Sequence, residues 1–324
     1  MPIDFPRIVF MGTPDLAVHI LDAIIGSDYN VAGVVTAPDK PAGRGRKLQA
    51  SPVKRYALEH NLPLLQPEHL KNEDFLRQLE LLAPDLQVVV AFRMLPEAVW
   101  SLPALGTFNL HASLLPDYRG AAPINRVLMN GEKITGVTTF LIDHKIDTGN
   151  ILLREEIPVS EYETAGSLHE KVKITGSKIV LQTIKALSEG SIRPVSQDTL
   201  ITPGKMLNKA PKIYKEDCLI DWNQPCEKAV NLIHGLSPVP GAFCFLEEED
   251  KEPMMIKIFA ARCEKEPHRY EAGTLLTDNK KNLRFATPDG FVKVLELQIP
   301  GKRKMQTDEL LRGFRFSGSN PEKS

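Results

Sequence analysis

Short β-rich runs alternate with helical stretches through the first half of this 324-residue chain, and that alternation limits the fold more than any other feature. Ile8-Val-Phe-Met11 reads as a buried strand stopped by Gly12-Thr13-Pro14, where Thr13 can cap a helix with Pro14 at its first position. Val31 to Thr36, Leu86 to Ala91, Thr107 to His111 and Gly136 to Asp143 are further strand candidates. Ser51-Pro52 opens a helix, another spans roughly Ala122 to Met129, and a long one covers Ala165 to Leu187 and ends at Gly190. Strands separated by helices need crossover connections. The expected fold class is therefore α/β, with a mostly parallel, doubly wound, Rossmann-like sheet covered on both faces. Such a sheet holds its ligand beyond the carboxyl ends of its strands.

Past residue 190 the pattern changes. Ile192 to Tyr214 contains Pro194, Pro203, Gly204 and Pro211 and is rich in lysine, so 191–214 reads as a linker. A helix near Cys226 to His234 leads into short strands at Ala242 to Leu246, Met255 to Ala261, Leu283 to Ala286 and Phe291 to Leu297. Turns such as Pro288-Asp289-Gly290 separate them. The organisation expected is an α/β domain over 1–190 and a small OB-like antiparallel β-barrel over 215–324.

Lys and Arg number 40 against 41 Asp and Glu, so any nucleic-acid contact must come from local clustering of charge. No apolar run is long enough for a membrane span, and Met1 to Pro6 lacks the basic and apolar regions of a leader. A cytoplasmic monomer away from membranes is expected. Cys218, Cys226, Cys244 and Cys263 form no C-x-x-C pair, which disfavours zinc and favours buried free thiols in a reducing compartment.

Gly12, between a strand and a helix, invites a nucleotide-binding reading. There is no G-x-G-x-x-G, however, and Asp15 puts a negative charge where a phosphate would sit, so a tight structural turn is the reading adopted. Phe108-Asn109-Leu110-His111-Ala112-Ser113-Leu114-Leu115-Pro116 is different. On a strand Asn109 and His111 point to one side, and an amide beside an imidazole can donate to one developing oxyanion. Singly, Asn109 could tie down a loop and His111 could be a satisfied core histidine. Arg119-Gly120-Ala121-Ala122-Pro123 then forms a turn-rich segment, and Ile146-Asp147-Thr148-Gly149 a second turn. Asp147 could face His111 and orient it or a water; as an isolated tripeptide, Asp-Thr-Gly could equally be a turn with Gly149 at positive φ.

From Lys40 to Leu58 the chain carries Lys40, Arg44, Arg46, Lys47, Lys54 and Arg55 and no acidic residue, with Gly43 and Gly45 loosening the loop. A solvated surface loop is the ordinary reading of such a run. Its place after the second strand also suits a phosphate-bearing ligand at the site.

Taken together these residues resemble the folate-dependent formyltransferase family, marked by Asn-x-His, then Ser-Leu-Leu-Pro, then Asp-Thr-Gly. Within that family the chain is similar to the members that formylate initiator tRNA. Gly12-Thr13-Pro14, the loop from Pro38 to Leu48, Ser51-Pro52-Val53-Lys54, Ile220-Asp221-Trp222 and Gly301-Lys302 carry the resemblance over nearly the whole length. The resemblance implies 10-formyltetrahydrofolate as co-substrate donor and the methionine of initiator methionyl-tRNA as acceptor, with no metal. It implies that Asn109 and His111 stabilise the tetrahedral oxyanion, and that Asp147 pairs with His111 and helps move protons from the amine toward the folate N10. It further implies that Ser113, Leu114, Leu115 and Pro116 line the folate site, that Lys40, Arg44, Arg46 and Lys47 meet the acceptor stem, and that the C-terminal domain binds tRNA.

Two segments depart from the family pattern. Val90-Ala91-Phe92-Arg93-Met94-Leu95-Pro96 is one residue short and has Arg where Gly is usual, and His144-Lys145 precedes the acidic turn where Gly is usual. Both would border the folate head-group pocket. Among other acceptors, an amino sugar nucleotide keeps the same chemistry, and the basic loop weighs against it. A non-catalytic RNA-binding protein on a degenerate scaffold is the rival from another class, and the intact trio weighs against that.

Overall fold

Ile8, Val9, Phe10 and Met11 are fully buried in β1 (Arg7–Gly12), the strand around which the first sheet is built. A strand apolar on both sides must be covered on both faces, as the parallel arrangement requires. The computed structural model describes residues 5–27, 29–42, 47–204, 206–247, 252–316 and 320–321. After β1 come α1 (Asp15–Ile25), β2 (Asn30–Val35), β3 (Lys40–Ala42), β4 (Lys47–Gln49), α2 (Pro52–Glu59) and β5 (Leu64–Leu65). α3 (Glu73–Leu81), β6 (Leu86–Val90), α4 (Glu97–Trp100), β7 (Thr107–His111) and β8 (Arg119–Gly120) follow. Then come α5 (Pro123–Met129), β9 (Ile134–Leu141), β10 (Ile151–Pro158) and the long α6 (Ala165–Ser188).

The sheet order is β10-β9-β7-β6-β1-β2-β5. The stretch from β7 to β5 is parallel throughout, as expected. β9 runs antiparallel to β7, and β10 antiparallel to β9. β10 was not legible as a strand because Arg154, Glu155 and Glu156 interrupt its apolar pattern. Ser51 caps α2 as its sequence implies, its Oγ accepting the Lys54 N–H at 3.0 Å with Pro52 in the first turn. Thr13 does not cap α1. Pro14 occupies that position instead, its carbonyl accepting the N–H groups of Ala17 and Val18, so the helix starts one residue later than expected.

The described residues form two compact units, one within 1–120, 134–158 and 169–209, the other within 121–133, 159–168 and 210–324. The second unit thus takes in α5, whose Asn125 Nδ2 donates to Gly235 O at 2.7 Å. After β11 (Lys209–Ala210), whose Ala210 opens the last stretch of this unit, it continues through α7 (Cys226–Gly235), β12 (Ala242–Leu246), β13 (Met254–Glu264), β14 (Leu275–Thr277) and β15 (Leu283–Thr287). β16 (Gly290–Gln298), β17 (Met305–Gln306), α8 (Thr307–Leu311) and β18 (Asn320–Pro321) complete it. Its sheet runs β12-β13-β16-β15-β14-β18, antiparallel except for the last pair, with β17 added beside β16. This is an antiparallel half-barrel. Its core joins Val230 and Ile233 of α7 to Ile256, Ile258, Phe285 and Leu297.

One expectation about the thiols fails. Cys226 at the start of α7 and Cys263 on β13 are joined in a disulfide, with Cα atoms 5.4 Å apart. Packing helix against strand brings together two residues separated by 37 positions, which spacing along the chain does not report. Cys218 and Cys244 are free and buried, as expected, and burial pushes the Cys244 thiol up to about 12. Among the described residues no helix is long and apolar enough to cross a membrane.

Candidate active site

Asn109 and His111 stand at the carboxyl end of β7, paired in register with Phe140 and Thr138 of β9. Their period-two spacing sets both on one side of the sheet. Asn109 is half-buried, and its carboxamide has no hydrogen-bond partner among the described residues. His111 is 6% exposed, and its Nε2 lies 2.9 Å from the carbonyl oxygen of Tyr118. A carbonyl only accepts, so Nε2 carries the proton and Nδ1 is the atom left for chemistry. That Nδ1 lies 3.8 Å from Asp147 Oδ2, within ion-pair reach but longer than a hydrogen bond. The structure therefore brings two members of the trio together at a defined pair of atoms.

Asp147 is held in an unusual conformation. Its φ is +55°, in the left-handed region that a non-glycine residue enters at a cost. The expected positive φ is on the aspartate and not on Gly149. Gly149 is needed for space: a Cβ there would lie 1.6 Å from the Leu141 carbonyl oxygen. Asp147 Oδ2 accepts the Gly120 N–H at 2.9 Å, which uses one lone pair and aims the carboxylate toward the imidazole. Thr148 Oγ1 donates to Asp143 Oδ1 at 2.9 Å and closes the turn from the other side.

Ser113, Leu114, Leu115 and Pro116 form a rigid bend. Thr138 Oγ1 donates to Ser113 O at 2.6 Å and accepts the Leu115 N–H at 3.1 Å, while Ser113 Oγ donates to Asp117 O at 2.7 Å. The Leu115–Pro116 peptide is cis. Ser113 and Leu115 are fully buried, and Leu115 packs on Phe140 and Ile151. Leu114 packs over Gly136, where a Cβ would lie 2.4 Å from its Cδ2. These side chains brace the bend from within.

The basic segment is more ordered at its base than a loose loop would be. β3 and β4 form an antiparallel hairpin, with Lys40 opposite Gln49 and Ala42 opposite Lys47. Lys40 is exposed, while Arg44 and Arg46 lie outside the described residues, as does the side chain of Lys47. Lys54 is committed elsewhere: its Nζ donates to Asp39 Oδ2 at 2.7 Å, and Gln66 Nε2 donates to Asp39 Oδ1 at 3.0 Å. The Lys54 ammonium holds the Asp39 carboxyl below its usual range. Arg55 Nη1 donates to Ala50 O, so it too serves local structure.

Gly12 proves structural, since a Cβ there would lie 2.5 Å from that of Ala17. Asp15 at the adjoining helix start pairs with Lys173, whose hydrogen bond lowers its carboxyl from the usual range. The two departures from the family pattern have local roles. Arg93 donates to Pro67 O at 2.7 Å and Glu68 O at 2.9 Å, pinning that loop. His144 sets its ring edge-on to Trp100.

Sequence reasoning missed Gln197, which is 2% exposed and bonded to Asp147 O, Gly149 O and the Arg119 guanidinium. It also missed Tyr118 O and Thr138. A polar residue in a Pro- and Lys-rich stretch has no periodicity to mark it, so no signal in the chain pointed to Gln197.

The chain matches the "Formyl transferase" family model over residues 6–184 and the "Formyl transferase, C-terminal domain" model over 212–315. It is 53% identical over 311 residues to the Methionyl-tRNA formyltransferase of Bacteroides thetaiotaomicron, covering 96% of each chain. It is 52% identical to the same enzyme of Flavobacterium johnsoniae, covering 96% of this chain and 97% of that one. Among solved structures, HypX from Aquifex aeolicus in complex with tetrahydrofolic acid matches 98% of this chain and 49% of its own, at TM-score 0.63 and 20% identity. The N-formyltransferase of Helicobacter canadensis, solved with folinic acid and dTDP-3-aminofucose, matches 90% of this chain and 99% of its own, at TM-score 0.63 and 18% identity.

Proposed function

The chain belongs to the formyl transferase family, and on that premise we propose that it transfers the formyl group of 10-formyltetrahydrofolate to the α-amino group of methionine on initiator methionyl-tRNA, for translation initiation. The observation that carries this reading is likeness to curated relatives over both domains, supported by Asn109 and His111 at the carboxyl end of β7 and Asp147 Oδ2 3.8 Å from His111 Nδ1. An amino sugar nucleotide as acceptor, which the residues alone left open, is not favoured by that full-length likeness.

The chemistry asks little beyond polarisation and proton transfer, because the donor is already an activated amide. The methionine nitrogen attacks the formyl carbon, a C–N bond forms, and the carbonyl electrons move onto oxygen. Asn109 Nδ2, without a partner among the described residues, donates to that oxyanion. His111 serves through Nδ1, because Nε2 is taken by Tyr118 O. The ammonium formed by attack loses its proton to the Asp147–His111 pair, which then delivers one to N10 as the C–N10 bond breaks. The amine proton thus ends on the folate nitrogen and the formyl group on methionine, with charge conserved. Ser113 to Pro116 border the folate site, Lys40, Arg44, Arg46 and Lys47 meet acceptor-stem phosphates, and the half-barrel contributes to tRNA binding. No metal enters this scheme, and the enzyme works as a cytoplasmic monomer.

Incubation with labelled 10-formyltetrahydrofolate and either charged initiator tRNA or an amino sugar nucleotide tests the assignment. Label is expected on methionyl-tRNA. Turnover of the sugar alone would sink it.

A further inference from the structure

We propose that Gln197 is a positioning residue that holds the Asp147 carboxylate against His111, an inference that rests on the catalytic reading given above. Gln197 stands in the stretch 191–214, read from sequence as a linker, at the start of a single 3-10 turn (Gln197–Leu200). Its carboxamide is saturated. Nε2 donates to Asp147 O at 3.0 Å and Gly149 O at 2.8 Å, while Oε1 accepts from Arg119 Nε at 3.0 Å and Nη2 at 2.7 Å. Two donors and two acceptor sites are all that such a group has, so the ends of the amide are fixed and the side chain is a strut.

The strut grips the site from both sides. Its donors hold the main chain on either side of Thr148, at the place where Asp147 has φ +55°. A left-handed aspartate is strained and persists only where its surroundings impose it. Its acceptor holds the Arg119 guanidinium, and Arg119 directly precedes Gly120, whose N–H donates to Asp147 Oδ2. Gln197, Asp147, Gly120 and Arg119 thereby close a ring. One side chain sets both the backbone from which the carboxylate springs and the N–H that aims it. The 3.8 Å approach to His111 Nδ1 follows from that ring.

The test uses the full-length enzyme with charged initiator tRNA. Gln197→Glu keeps an acceptor for Arg119 but turns a carboxylate oxygen toward two carbonyls, releasing the turn. Because a misplacement near 1 Å costs on the order of 10²-fold, kcat is expected to fall by about that factor while both KM values stay within about twofold. On an Asp147→Asn background the same substitution should lower kcat by less than about threefold further, because no carboxylate remains to be aimed. A merely structural role would lower kcat by equal factors on both backgrounds, and that result overturns the inference. So does a Gln197→Glu enzyme whose kcat stays within about threefold of the parent. An Asp147→Asn enzyme with near-parental kcat overturns the catalytic reading itself, which separates the two failures. Should Gln197→Glu not fold, Arg119→Met gives the same comparison. It leaves the donors to Asp147 O and Gly149 O in place and loosens only the Gly120 side of the ring, so a smaller loss, again absent on Asp147→Asn, is expected.

Discussion

Asp147 Oδ2 lies 3.8 Å from His111 Nδ1 while accepting the Gly120 N–H at 2.9 Å. The carboxylate is thus fixed by one neighbour and left within charge reach of another, an arrangement that suits a pair which must shuttle a proton. Asp147→Asn keeps the shape and the Gly120 hydrogen bond but removes the charge. Turnover is expected to fall by at least about 10²-fold, the scale of general acid–base catalysis, with tRNA affinity little changed. Single-turnover formylation and a tRNA binding titration measure the two effects separately, and a near-normal rate refutes the role of Asp147.

In the proposed mechanism Asn109 donates when charge develops on the formyl oxygen, and its amide has no partner among the described residues. Loss of one oxyanion donor costs about 10²–10³-fold in kcat, so Asn109→Ala should fall in that range with an unchanged KM for the donor. A rise in KM at constant kcat would assign Asn109 to ground-state binding instead.

How much of this was legible in the sequence depends on the range of the interaction. β1 could be read because its whole apolar run is local, and Asn109 with His111 because a strand puts alternate residues on one side. Asp147 was legible as part of a motif, but not its left-handed backbone, whose carbonyl accepts from the distant Gln197. Gln197 is 50 residues from Asp147 and 78 from Arg119. Cys226 and Cys263 escaped for the same reason. Lys54 counted as free positive charge along the chain, and only the fold brings Asp39 against it.

Gly149 has no room for a side chain, because the nearest atom is the main-chain oxygen of Leu141, which cannot rotate away. Gly149→Ala is expected to destabilise the protein by about 3 kcal/mol, the upper range of overpacking, and to reduce kcat as the Asp147 turn shifts. Denaturant unfolding gives the first number. A variant as stable as the parent would show that the turn can yield.

Charge reversal at Arg44 or Arg46 should weaken tRNA binding. For every phosphate no longer neutralised, the log–log salt slope should shrink by about 0.7 to 0.9. Lys54→Ala serves as the contrast, because Lys54 is already spent on Asp39 at 2.7 Å. Its salt slope should match the parent. Equal changes in slope for Lys54 and Arg44 variants would mean that the segment joining β3 to β4 is not the part that meets phosphate.

His234 on α7 is 5% exposed, its Nε2 accepts the Ala261 N–H at 3.3 Å, and its ring meets Tyr162 edge-on. Burial holds its imidazole below the usual range, because the charged form would be stripped of water. An unfolded histidine takes up its proton near pH ~6.5, where the folded one does not. Below about pH 6.5 the unfolded chain therefore binds more protons, and stability falls as the pH drops toward the folded value. His234→Gln keeps an acceptor for Ala261 but does not titrate. Melting temperatures measured from about pH 8 to about pH 5 should fall less steeply in this variant than in the parent. Parallel curves would mean that His234 takes up its proton alike in the folded and unfolded chain, so that burial contributes no pH dependence.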